Sequence, residues 1–357
     1  MKKSVPLPVV SVPLFMLMVW PLHADPAAVE KAIRRGTEYL LSRQDDDGAI
    51  GKVDRRSRDN ANAMTALAIL ALTATGHLPT DNTREGRAVR RALDFLLAEE
   101  RQDKTGYYGK YDGSRMYGHG IVTLMLAEML GMGLDSKQDA LIRERCQKAV
   151  DLIVRSQKVP KSDPRFHGGW RYTPESRDAD LSVTVWQVMA LRAAKNAGLS
   201  VPRETIEDAI GFIKRTYRSD RDRRGRITNQ KSGFAYEPGQ WPVFSTASEG
   251  LLALQVCGDY DAPELKGTVE WLREEKVSTK HRWFYYGIYY YAQGMYQRGG
   301  EIAREARENV ERVLLAEQQE DGSWIGRGEE GNSRVYCTAL ALMSLSVRHH
   351  FMPIYQR

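Results

Sequence analysis

The stretch Val313-Leu314-Leu315-Ala316-Glu317-Gln318-Gln319-Glu320-Asp321-Gly322-Ser323-Trp324 carries the end of an amphipathic helix into a turn marked by Gln318, Gly322 and Trp324. Its spacing, Leu314-x3-Gln318-x3-Gly322-x-Trp324, returns near the other end of the chain as Gly36-x2-Tyr39-Leu40-x3-Gln44-x3-Gly48. Between them lie Gly106-Tyr107-Tyr108, then Leu152-Ile153-x3-Gln157 with Gly168-Gly169-Trp170-Arg171-Tyr172 after an insertion, and Gly233-Phe234-Ala235-Tyr236. Six segments centre on an apolar pair: Tyr39-Leu40, Phe95-Leu96, Leu152-Ile153, Phe212-Ile213, Trp271-Leu272 and Val313-Leu314. They are separated by 56, 57, 60, 59 and 42 residues. A period of this size means that one supersecondary unit is stacked several times. Glycine permits the reversal, and an aromatic ring plugs the seam between neighbouring units. The glutamine is expected to bond the free carbonyls that end its own helix. These are joints, and they carry no chemistry.

Each unit holds two kinds of helix. The first is amphipathic: Val29, Ile33, Leu40 and Leu41 make one stripe, with Glu and Arg opposite. The second, as in Asn62–Leu72, Leu181–Ala194 and Thr338–Val347, is apolar nearly all round and must be covered on every side. First helices therefore form an outer ring facing water and second helices an inner ring. The expectation is all-α, a single α/α toroid of about six helix-pair repeats over residues 25–357.

Residues 1–24 read as a secretory signal: Lys2 and Lys3, an apolar run from Val5 to Pro21, and a small residue, Ala24, before Asp25. Four prolines (Pro6, Pro8, Pro13, Pro21) argue against a spanning helix. Export to the periplasm or beyond the cell is expected, with no integral membrane segment in the mature chain. The formal charge is +6, or +4 without Lys2 and Lys3, too modest and scattered for nucleic acid. The dense block Arg218–Arg226 includes two acids and reads as a solvated loop. Cys146, Cys257 and Cys337 have no framework spacing, so buried thiols are expected and neither a zinc set nor any other cofactor.

The Gln-x3-Gly-x-Trp spacing resembles the QW repeat of squalene and other terpenoid cyclases, a fold shared with the β subunits of protein prenyltransferases. Asp321–Trp324 through Ser333–Cys337 is similar to the last repeats of those β subunits. The tail from Trp283 to Gly300 and on to Tyr355 resembles exported bacterial proteins with the same repeats and no assigned reaction. Zinc-dependent prenyl transfer, which the resemblance ties to an Asp-x-Cys element, has no such element here. The cyclases start a carbocation cascade from the middle Asp of an Asp-x-Asp-Asp motif. The matching stretch is Asp178-Ala179-Asp180-Leu181, where Leu181 replaces the last Asp. The resemblance thus implies Asp180 as proton donor with Asp178 beside it.

The residues themselves point to the starts of the inner helices. Aligned on Thr65, Thr123, Thr184 and Thr338, four positions earlier lie Ala61, His119, Asp180 and Arg334, three of them ionisable. Asp178 and Asp180 either cap their helix or form, with His119 and Arg334, a charged cluster able to do acid chemistry. The run Trp283–Tyr291 supplies rings for packing or for a cavity wall. Tyr285, Tyr286, Trp186, Phe244 and Tyr336 are the candidates for the wall. Two functions follow. One is a module binding an apolar, isoprenoid-like molecule, a glycan or a protein segment in the cavity or at its mouth. The other is a cyclase or isomerase using Asp180.

Overall fold

The computed structural model describes residues 25–51, 60–220, 222–228, 231–328, 333–349 and 354; the expected export signal, residues 1–24, lies outside them. Among the described residues there are twelve α-helices and, beyond isolated bridges, no strand. The outer helices are α1 (Pro26–Ser42), α3 (Arg84–Leu97), α5 (Ser136–Gln157), α7 (Arg203–Thr216), α9 (Pro263–Glu274) and α11 (Gly300–Glu317). The inner ones are α2 (Ala61–Ala74), α4 (Arg115–Glu128), α6 (Leu181–Asn196), α8 (Phe244–Val256), α10 (Phe284–Tyr296) and α12 (Arg334–Leu345). Each inner helix packs on the next, and α12 returns to pack on α2. The ring is closed, so no inner helix exposes an apolar flank. All fourteen residues of α2 are buried, whereas α3 buries one stripe and turns its Arg and Glu side chains outward.

The repeated turn works differently from the sequence expectation. The glutamine amide does not serve the carbonyls ending its own helix. Gln44 donates to Gly48 O and to Ala88 O of α3, and Gln102 to Gly106 O and Arg145 O of α5. Gln157 donates to Gly168 O and Thr205 O of α7, and Gln318 to Gly322 O and Ala32 O of α1. One amide with two hydrogens thus ties its own turn to the next outer helix, and Gln318 fastens the last unit to the first. The reason is reach: the turn lies against the flank of the next outer helix, and only a long amide bridges its own turn carbonyl and one within that helix. In two units an indole N–H also reaches a carbonyl in the last turns of the outer helix, Trp170 Nε1 to Ile153 O at 2.9 Å and Trp324 Nε1 to Leu314 O at 2.8 Å.

The turn glycines are required by close approach. A Cβ on Gly322 would lie 2.4 Å from Arg35 O, and one on Gly168 would lie 2.1 Å from Asp208 O, both at positive φ. The aligned threonines receive the turns. Ile50, Trp170 and Trp324 donate their backbone N–H to Thr65, Thr184 and Thr338 Oγ1. None of the three cysteines forms a disulfide, Cys146 and Cys337 being buried and Cys257 partly so. No helix among the described residues is long and apolar enough to cross a membrane.

Candidate functional site

Inner helices all start at the same end of the ring, so their first turns and preceding loops converge there. Asp180 caps α6 and Arg334 opens α12, but His119 is the fifth residue of α4, where Thr65 and Thr338 stand in their helices, and the structure does not gather the three into one cluster. His119 is buried in its own turn: Nδ1 accepts from Tyr108 N at 3.3 Å and Nε2 lies 3.1 Å from Ala149 O. It takes the role the threonine plays in other units, and burial holds its pKa down at about 4. Arg334 is half-exposed and pairs with Asp321 at 2.9 Å, within the turn preceding α12. The expected buried cluster of the three is therefore corrected, because His119 is spent on Tyr108 and Ala149 and Arg334 on Asp321, leaving Asp180 without either.

Asp180 has the richest surroundings. It is fully buried and caps α6, accepting from Val183 N at 2.8 Å and Ser182 Oγ at 3.1 Å. Its other oxygen accepts from Tyr236 Oη at 3.0 Å and sits 3.1 Å from Arg171 Nε, an ion pair whose N–H is not aligned as a hydrogen bond. Arg171 also bridges Glu237 and, at 3.5 Å, the half-exposed Asp178. Burial raises Asp180 to about 6, against the lowering pull of Val183 N–H, Arg171, Tyr236 and Ser182. Asp180 is thus both a cap and the hub of a charged group.

Hydroxyls extend this hub in both directions. Tyr172 and Tyr236 share a hydrogen bond at the half-buried rim, and Tyr117 meets Ser182 on the other side of Asp180. Deeper in, Tyr290 Oη donates to Tyr286 Oη, which donates to Ser182 O at 3.0 Å. The rings that were candidates for a cavity wall pack on one another. Trp186 is flanked by Tyr286, Tyr289 and Tyr290 at 5.9–6.3 Å. Phe244 stacks on His281, and Tyr285 meets Phe284 edge-on. Trp186, Tyr289 and Tyr290 have no accessible surface, so no water-sized void adjoins them. Tyr336 alone of the five wall candidates is half-buried.

Glu249 was missed by the sequence reading. It sits in the second turn of α8, buried among apolar residues, and its Oε2 has no hydrogen-bond partner. Burial, reinforced by the nearby Asp180 charge, raises its pKa well above the ordinary carboxylate value. A lone acid in Phe244–Val256 was the available signal; alignment on threonines at one offset passed over it. A raised folded pKa means stability that is present at low pH and is lost as pH rises through that pKa. Between the unfolded value of 4.5 and the folded one the loss is about 1.4 kcal/mol per pH unit. Glu249→Gln is expected to flatten this slope and to gain stability relative to the parent at pH 8 more than at pH 5. Denaturant titrations at both pH values check it; equal slopes for the two proteins would refute the assignment.

The backbone is also tense at this end. Asn60, Arg115 and Trp283, at the starts of α2, α4 and α10, have φ of 45°, 57° and 57°, a region costly for side chains with a Cβ and one that collects at working surfaces. No group of three or more His, Cys, Asp or Glu among the described residues is arranged to hold a metal ion.

The family model of the prenyltransferase alpha-alpha toroid domain matches residues 14–113 and 170–287, more than half of the chain. Solved structures share the fold at low identity. An inactive α-1,6-mannanase GH76A variant of Salegentibacter sp. HEL1_6, in complex with α-1,6-mannotriose, superposes with a TM-score of 0.62 at 10% identity, over 90% of this chain and 99% of that one. The type II terpene cyclase MstE from Scytonema gives 0.56 at 15% identity, over 92% and 100%. A glycosidase variant in complex with glucose gives 0.57 at 11%, over 92% and 100%. No curated protein sequence matches.

Proposed function

Because this chain belongs to the prenyltransferase alpha-alpha toroid domain family, we propose that it is a binding module holding an extended ligand at the mouth where its inner helices begin. The observation that carries this reading is a contrast within one ring. The centre is filled by Trp186 and the tyrosines of α10, while the mouth presents Arg171, Glu237, Tyr172 and Tyr236, partly exposed and joined to a buried polar hub. A polar, preformed, half-buried surface is what recognition requires. The ligand classes named for proteins of this fold are a terpenoid and glycans, and residues 1–24, read as an export signal, would present the mouth outside the cytosol.

The test is extraction of the purified protein followed by mass spectrometry, for the parent and for Glu237→Gln. A small molecule or oligomer enriched with the parent and lost with the variant is expected. Equal recovery from both would remove the mouth as the site.

A second reading rests on Asp180. A carboxyl raised to about 6, fed by Tyr236 and Ser182 hydroxyls, is suited to give up a proton near neutral pH. As in the cyclases it resembles, it would act as an acid on an alkene or related group. Asp178, half-exposed and reached only through Arg171, would act by holding that guanidinium.

A further inference from the structure

The mouth carries two large exposed rings that the hub around Asp180 does not use. Trp241 is 74% exposed on the loop before α8, and Tyr111 is 65% exposed on the loop before α4. Each is backed by a cation on one face: Arg218 lies 4.5 Å from the Trp241 centroid and Lys110 lies 5.4 Å from that of Tyr111. A ring so covered offers its remaining face outward. The loop that bears Trp241 is braced. Arg218 Nη1 donates to Gly239 O at 3.1 Å, Ala235 bridges Pro242, and Gln240 folds back on Glu237 through both its backbone and its side chain. An indole has few rotatable bonds, so a braced one presents a fixed flat surface at little entropic cost.

The loops bearing the two rings precede α4 and α8, with α6 between them. Packed helices lie about 8–10 Å apart, so in a ring of six the starts of α4 and α8 stand roughly 14–17 Å from one another, with Arg171 and Glu237 on the stretch between. That length fits a chain of several units rather than one small molecule. The charges along it are paired with alternating sign, Arg165 with Asp163 and Arg171 with Glu237. The cations that back the two rings are themselves engaged, Arg218 with Trp241 and Gly239 O, and Lys110 with Tyr111 and, at 3.7 Å, Asp103. Flat apolar faces at intervals, with fixed donors and acceptors between them, match the alternating CH faces and hydroxyls of a neutral sugar chain.

We infer that the mouth binds a neutral oligosaccharide, with Trp241 as its principal stacking platform, Tyr111 as a second, and Glu237 and Arg171 as hydroxyl partners. This rests on the mouth-binding reading and names its ligand class.

The purified protein would be titrated with α-1,6-mannotriose, cellotriose and maltotriose, following intrinsic tryptophan fluorescence and calorimetric heat. At least one is expected to bind, with Trp241→Ala weakening it tenfold or more and Trp241→Phe staying within about threefold of the parent. Tyr111→Ala is expected to weaken it less, and more for a hexasaccharide than for the trisaccharide. Absence of binding to every sugar overturns the sugar assignment. So does partition of the parent into phosphatidylcholine–phosphatidylglycerol vesicles that is lost in Trp241→Ala while no sugar binds. Sugar binding unaffected by Trp241→Ala overturns the platform. The mouth reading is judged separately, by whether the molecule recovered with the parent is lost in Glu237→Gln.

Discussion

Replacing Arg171 by alanine is expected to lower the unfolding free energy by about 3–5 kcal/mol near pH 8, the cost of leaving a buried charge without its partner. Asp180 has no exposure to water, and among the described residues Arg171 is the cation paired with it, at 3.1 Å. Glu237 and Asp178 lose the same guanidinium but reach solvent, so they add little. The pH dependence follows from the sign of the shift. Asp180 already titrates at about 6, raised by burial, and without Arg171 it must rise further. The variant should therefore bind a proton in the folded state and lose much less stability at pH 5 than at pH 8. Denaturant unfolding at the two pH values measures this. A loss of the same size at both would mean that Arg171 acts through packing against Tyr172 and Tyr236 and not through charge. Arg171→Lys keeps one charge but cannot span three carboxylates, and should recover part of the loss.

The second large effect is expected at the seam that closes the ring. Trp324 is fully buried, donates to Leu314 O, and presses its six-membered ring against Gly36 of α1, where a Cβ would lie 2.8 Å from it. Trp324→Ala removes the largest side chain of the joint and is expected to cost about 3–5 kcal/mol. Trp324→Phe keeps most of the volume but leaves the Leu314 carbonyl without its donor, for a cost of about 1–3 kcal/mol. The damage should be local. Amide hydrogens of α1 and α12, which meet only through ring closure, should exchange faster, while those of α6 and α8 on the opposite side keep their protection. Uniform acceleration round the ring would show instead that the toroid unfolds as one unit. Gln318, which ties Gly322 to Ala32 across the same seam, is expected to give a milder form of the same pattern.

Much of this molecule was legible without coordinates. The apolar pairs from Tyr39-Leu40 to Val313-Leu314 all fall in outer helices, and Asn62–Leu72, Leu181–Ala194 and the Thr338 segment all fall in inner ones. Helical periodicity is a local property, and a helix apolar on every face has only one kind of place to go. The repeat spacing then required that each unit cover the next, so layers, number of units and the joints at Gly48, Gly168 and Gly322 followed from composition and period alone.

What the sequence determined by itself was therefore the architecture and the candidate position of chemistry, at the start of the inner helices. It could not determine direction. His119, Asp180 and Arg334 all lie near the starts of inner helices, yet His119 turns to Tyr108 and Ala149, Arg334 to Asp321, and only Asp180 meets the hub. That choice depends on which residue stands opposite: Arg171 of its own turn and Tyr236 of the next for Asp180, Tyr108 N–H and the Ala149 carbonyl for His119, and Asp321 for Arg334. Nor could the sequence say whether the ring was open or filled. That was decided in three dimensions, by the volume of Trp186 and three tyrosines brought together from α6 and α10. Pattern is read along a chain, but packing and electrostatics are summed across it, and only the closed ring puts these groups within reach of one another.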